Sequence, residues 1–173
     1  MYDLPLPLLR IRERLETGRE SIIEALDAMA DGMAAARPAT DAWSVAETVE
    51  HLLLAEAFTV DLTHSLVGDS AVGFPPDLAD FAPLPAPVSM ESPPPIRPRS
   101  VSSVGQLRTL LMSTSERSLA AMETLARVDP REFVAPHPLF GPLDLGQWWV
   151  LNATHYEMHL AQVREAIGRL GRA

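Results

Sequence analysis

The stretch Asp144-Leu-Gly-Gln-Trp-Trp-Val-Leu-Asn-Ala-Thr-His155-Tyr-Glu-Met-His159-Leu-Ala-Gln162 reads as one helix. Asp144 stands at the N-cap, with Gln147 three residues on as its reciprocal partner. Trp148, Leu151, Tyr156, Val163, Ile167 and Leu170 recur at helical spacing, and no proline interrupts the run. His155 and His159 are four apart, so their rings stand one above the other on one face. That face also carries Trp148, Asn152 and Ala166, which turns it inward. A buried imidazole without a partner costs about 1–3 kcal/mol. Two imidazoles one turn apart are half of a metal site. The pair alone also fits two hydrogen-bonded core residues or an exposed polar face, and a third ligand from elsewhere in the chain decides between them.

Working outward, three more helices precede this one. The first is expected over about residues 8–36, from the stripe Leu8, Ile11, Leu15, Ile22, Leu26 and Met29, with Gly18 and Gly32 as weak points and Pro38 as the stop. Ser44-Val-Ala-Glu47 is a capping box that opens a second helix over 44–67, closed by Gly68. His51 lies one turn after Glu47 and on pattern alone flanks the apolar stripe. A third helix spans about 103–127, with Gln106 three residues after Ser103, and the fourth spans 144–170. Between the second and third, residues 69–102 carry nine prolines, from Pro75 to Pro98. No regular helix or strand survives that density, so the segment is expected to be a long loop. It serves either as a crossover between parallel helices or as a lid over a site. The expected fold is all-α: a single domain over 1–173, a four-helix bundle in which the long link lets the second and third helices run side by side in the same direction.

Composition removes several chemistries. There is no cysteine, so disulfides, thiolate ligands and cysteine nucleophiles are excluded. Lysine is absent too, which excludes Schiff-base chemistry. A net charge of −9 argues against a nucleic-acid surface. No signal peptide or membrane-length apolar run is visible, so a soluble, cytoplasmic protein without a membrane partner is expected.

A helix bundle builds metal sites from side chains facing its interior. His51 together with His155 and His159 gives three imidazoles from two helices, enough for a catalytic-type site with one open position. Imidazole ligands accept zinc, nickel, iron or cobalt. The sequence here resembles the DinB/YfiT-like family of bacterial four-helix proteins. The resemblance rests on Trp43-Ser44-x-x-Glu47-x-x-x-His51-Leu52 followed by Glu56, on His137-Pro138-x-x-Gly141-x-Leu143, and on Trp148 followed by His155-x-x-x-His159-x-x-Gln162. These segments follow the family's order and cover most of the chain.

The resemblance implies an up-down-down-up bundle, commonly a homodimer, with a divalent metal, zinc or nickel, on His51, His155 and His159. It also implies a transferase that activates a low-molecular-weight thiol, of the bacillithiol or mycothiol type, for attack on an electrophilic small-molecule substrate. The thiol has to arrive as a cosubstrate, because the chain has no cysteine. The alternatives are a non-enzymatic metal- or small-molecule-binding stress-response bundle, or a metal-dependent hydrolase. Glu47, Asn152 and Gln162 are candidates for orienting the ligands or contacting substrate, with capping the favoured role for Glu47. Glu56 is left out of the metal's ligands, because its angle from His51 around the helix is wide. His137 is expected to shape the loop before the fourth helix, His64 to be exposed, and Trp148 and Trp149 to serve as core and dimer contacts.

Overall fold

The computed structural model describes residues 4–84, 92–99 and 102–171. Pro85, Pro87 and Met90 of the proline-rich segment lie outside the described residues. The elements are α1 (Leu6–Asp27), α2 (Asp31–Ala35), α3 (Val45–Val67), α4 (Val104–Leu125), β1 (Val134–His137), β2 (Gly141–Asp144) and α5 (Leu145–Leu170). Single 3-10 turns sit at Pro94–Ile96 and Pro130–Glu132.

Three helices start where their caps place them. Ser44 with Glu47, Ser103 with Gln106 and Asp144 with Gln147 each form a complete capping box, satisfying two otherwise unpaired backbone N–H groups per helix. Gly68 takes a positive φ of 54° directly after α3, the conformation that a glycine cap permits. The first expected helix, however, is two. α1 ends at Asp27, Met29 turns into the core, and the short α2 follows. The break lets the Asp31 carboxylate accept the Val104 N–H at 2.7 Å and so finish the start of α4.

The four long helices pack in a ring. α3 meets α4 and α5, and α1 meets the same two from the other side. α1 and α5 approach closely at Gly18, where a Cβ would stand 2.8 Å from the Tyr156 Cβ. The apolar core between them includes Leu15, Ile22, Leu52, Leu111, Met122 and Trp149, all nearly inaccessible. Burial of such side chains stabilises a fold by about 1.5–3 kcal/mol each.

A charged pair sits inside this core. Glu56 of α3 is wholly buried and ion-paired with Arg19 of α1. Its carboxylate also accepts from Ser118 Oγ of α4 at 2.5 Å and from the Tyr156 hydroxyl of α5 at 2.8 Å. Arg19 in turn donates to Ser115 Oγ at 3.3 Å. All four long helices thus contribute to one satisfied cluster. Burial, with Glu56 beside it, holds the Tyr156 phenol well above its ordinary pKa, so the hydroxyl stays a donor.

Residues 134–144, expected to be an irregular connection, form an antiparallel hairpin. Pro136 faces Pro142, and because neither has an N–H to give, they occupy a non-hydrogen-bonded position of the ladder, where two prolines fit opposite each other. Gly141, at φ 73°, closes the three-residue turn. The proline-rich segment does more than cross between helices. Phe81 is buried with its ring on Gly146, where any side chain would collide with it. Residues 92–96 lie against α3.

Candidate metal centre

α3 and α5 bring three imidazoles to one point. His51 comes from the second turn of α3, and His155 and His159 from successive turns of α5. His155 Nε2 lies 3.0 Å from His51 Nε2 and 2.9 Å from His159 Nε2. Together the three rings could hold a metal ion, with His51 and His159 buried and His155 partly so. His51 therefore faces the core side of its helix and is not the exposed flank that its pattern allowed.

The outer ring nitrogens fix which atom carries each proton. His51 Nδ1 lies 2.7 Å from the Ile96 carbonyl oxygen, which can only accept, so Nδ1 carries the hydrogen and Nε2 presents a lone pair. Ser92 Oγ stands 3.4 Å from the same Nδ1. His159 Nδ1 donates to Gln162 Oε1 at 2.7 Å, and its Nε2 likewise presents a lone pair. Only His155 Nε2 stands between these two lone pairs, and one imidazole nitrogen brings at most one hydrogen. At least one buried lone pair is left without a donor, and a cation satisfies both. Two nitrogens on a tetrahedral zinc stand about 3.3 Å apart. The observed spacing is a few tenths of an ångström tighter, within what small ring movements accommodate.

The rings open onto a cavity of about 510 Å³. Trp43, Phe58, Phe140 and Trp148 give it aromatic walls, and Pro93, Pro95 and Ile96 cover one side. The hairpin supplies further wall through Pro136, His137 and Pro138. His137 holds its own turn: Nδ1 accepts the N–H groups of Leu139 and Phe140 at 3.1 and 3.4 Å, while the ring stacks near Phe140 and Trp148.

A sequence model of the DinB superfamily matches residues 14–163. The chain belongs to the DinB superfamily. The match takes in all three histidines, the proline-rich segment and the hairpin. The chain is also 26% identical over 167 residues to the uncharacterized protein YuaE of Bacillus subtilis (strain 168), an alignment that covers 92% of this chain and 96% of that protein.

Electrostatics suits this DinB site to a cation. Burial pushes all three imidazoles down. His155 falls to about 2, through desolvation first and then through His159 and His51, and His159 to about 4. His51 is also lowered, with the Ile96 carbonyl opposing the shift. All three are neutral at pH 7, the state a metal needs.

The other candidates separate cleanly. Gln162 holds His159 and lines the cavity. Asn152 lines the cavity with its Nδ2 buried and unpartnered. Glu47 closes the capping box and pairs with Arg37, which together hold its carboxyl below the ordinary range against the opposing effect of burial; none of its described bonds reaches the histidines. Glu56 stays out of the metal's ligands and belongs to the Arg19 cluster. His64 is exposed. Trp149 is core, its Nε1 donating to Thr63 Oγ1 at 3.0 Å, whereas Trp148 lines the cavity. Sequence reading missed the Ile96 carbonyl, which carries no side-chain signal. It also missed Arg19, whose partner is 37 residues away. Among the described residues, no helix is long and apolar enough to cross a membrane.

Proposed function

We propose that this chain is a divalent-metal enzyme that transfers a low-molecular-weight thiol to an electrophilic small molecule. The four long helices are taken to run up-down-down-up, with zinc or nickel on His51, His155 and His159. The observation that carries the reading is the convergence of three Nε2 atoms, two of them with lone pairs fixed by Ile96 and Gln162, at the wall of an apolar cavity.

A divalent cation held by His51, His155 and His159 would supply a Lewis-acidic position that favours the thiolate form of a thiol at neutral pH. The chain's own residues do the rest. The Ile96 carbonyl and Gln162 keep the imidazoles in the tautomer that binds. The aromatic and proline walls lower the polarity around the site, which strengthens charge interactions there. The new bond joins the thiol sulfur to the electrophilic carbon as that carbon's bond to its leaving group breaks; the leaving group departs with the electron pair, and the thiol proton goes to solvent. Among the described residues no carboxylate lines the cavity, and the chain has no cysteine, so the described wall offers no protein nucleophile of either kind.

Metal content by elemental analysis after zinc or nickel loading, with thiol consumption as the second readout, tests this. The expected result is one ion per chain, lost in His155→Ala, and consumption of a low-molecular-weight thiol that needs the ion. A wild-type chain that takes up no ion overturns the reading.

A further inference from the structure

Residues 92–99 form a strap that lies against α3 beside the three histidines. The strap's own sequence limits how it can be held. Pro93, Pro94, Pro95 and Pro98 have no N–H to give, so no ladder of backbone bonds can fasten it. Its shape comes from a 3-10 turn at Pro94–Ile96 and from the Arg97 and Arg99 guanidiniums, which donate back to the Ser92 and Pro94 carbonyl oxygens at 3.2 and 3.3 Å. Towards α3 it is bonded at two consecutive residues. Glu50 Oε1 accepts the Arg99 N–H at 3.3 Å, and His51 Nδ1 donates to the Ile96 carbonyl oxygen at 2.7 Å.

The second of these bonds ties the strap to the metal site. The ring that gives its Nδ1–H to Ile96 presents Nε2 to His155, 3.0 Å away. A cation on Nε2 draws electron density through the ring and makes Nδ1–H a stronger donor, and a charge-assisted hydrogen bond is about twice as strong as a neutral one. In the other direction, the carbonyl makes the imidazole a better ligand. The strap also carries Pro93, Pro95 and Ile96 into the cavity wall. A change at the metal site therefore reaches the wall through one ring and one carbonyl.

We infer that residues 92–99 are a metal-linked cover: an ion on the three histidines fastens the strap through His51 and Ile96 and so completes the cavity wall. The inference rests on the metal centre of the proposed function and not on its thiol chemistry. Linkage makes it reciprocal, so an ion that fastens the strap by some factor is held more weakly by that factor where the strap cannot dock.

Amide exchange followed by NMR on the full-length chain, with and without zinc, reads the strap without turnover. Zinc is expected to slow exchange of the Arg99 N–H, and of the Ile96 N–H that is bonded inside the turn to the Pro93 carbonyl oxygen, by about tenfold. The Gly73 N–H, a loop amide bonded to the Arg127 carbonyl oxygen at 2.7 Å, is the control and should change less than about twofold. Combining Pro94→Gly, Pro95→Gly and Ile96→Gly frees the undocked strap, so Arg99 should exchange at the rate of an unstructured amide with or without zinc. Zinc affinity in that variant should fall by the same factor, about tenfold. Zinc uptake with unchanged exchange at Arg99 and Ile96 overturns the inference and leaves the metal centre standing. Full zinc affinity in the combined variant does the same, as does equal slowing at Gly73, which would mean a general tightening of the fold. A chain that takes up no zinc overturns the inference together with the metal reading.

Discussion

α3 and α5 carry two buried polar clusters, and the two are finished differently. Around Glu56, every partner comes from within the chain: Arg19 supplies the charge, and Ser118 and Tyr156 supply hydroxyls. Around His51, the neighbouring helices supply only more imidazoles, and the lone pairs left over face one another at a cavity. Glu56 stands five positions after His51 on α3, and Tyr156 is next to His155 on α5. The same two helices therefore build one cluster that is complete without a ligand and one that is complete only with one. Satisfied buried networks rigidify a fold, whereas unsatisfied ones mark sites of function.

Breaking the complete cluster is expected to give the largest effect. Glu56→Ala strands a buried guanidinium, a change that costs about 3–5 kcal/mol. Denaturant titration of the metal-free chain reads it directly. His155→Ala in the same metal-free chain is expected to cost no more than about 1 kcal/mol, since it removes one neutral hydrogen bond. Equal losses in the two variants would mean that the histidines form a structural network like the other, and the contrast would disappear.

Acid should sharpen the contrast next. His155 and His159 have folded pKa values pushed by burial to about 2 and about 4, below the ordinary value of 6.5. As pH falls, the unfolded chain takes up these protons first, so acid favours unfolding. Stability of the metal-free protein is therefore flat above about pH 6.5 and falls below it, by about 1.4 kcal/mol per pH unit for each imidazole that stays neutral. Melting curves between pH 7 and pH 5 check the slope while most carboxylates remain ionised. The slope should lessen by about one proton in His155→Leu. A flat profile would show rings that protonate freely in the folded state.

How far each cluster can be read from sequence follows from how local it is. The four-residue spacing of His155 and His159 is a property of one helix, and the capping boxes at Ser44, Ser103 and Asp144 are four-residue patterns, so the helix starts and half the site were legible. His51 was grouped with them as the third imidazole of a bundle and assigned to the metal by the family resemblance, because no spacing within α3 distinguishes an inward from a flanking histidine there. The Glu56 cluster was hidden, since Arg19 sits among the other arginines and glutamates of α1 and becomes a core residue only through partners on three other helices. The hairpin was concealed by its own prolines, which usually argue against a strand and here face each other.

Gln162 offers a smaller effect confined to the open cluster. Its amide fixes the His159 tautomer, so Gln162→Leu should weaken zinc binding about ten- to a hundredfold while leaving the Glu56 network and the metal-free stability close to wild type. Competition titration against a zinc-binding dye measures the affinity. A loss of stability without a loss of affinity would assign Gln162 to packing instead.

The smallest effect asks whether the clusters are mechanically joined. Gly18 presses its backbone onto Tyr156, so Gly18→Ala must displace that side chain or push α5 from α1. The methyl brings a helix-propensity gain of about 1 kcal/mol, set against an overpacking cost of about 1–3 kcal/mol, and the net expectation is a loss of about 1 kcal/mol in a thermal melt. Tyr156 is pinned to the wholly buried Glu56, so the strain passes to α5 as a body and carries His155 and His159 slightly away from His51. Zinc affinity should then fall about threefold, the low end of what coupling through a packed element supplies. A less stable protein with unchanged affinity would show that the closed cluster anchors the helices without setting the distance across the open one, and that the loop carbonyl and Gln162 alone position the rings.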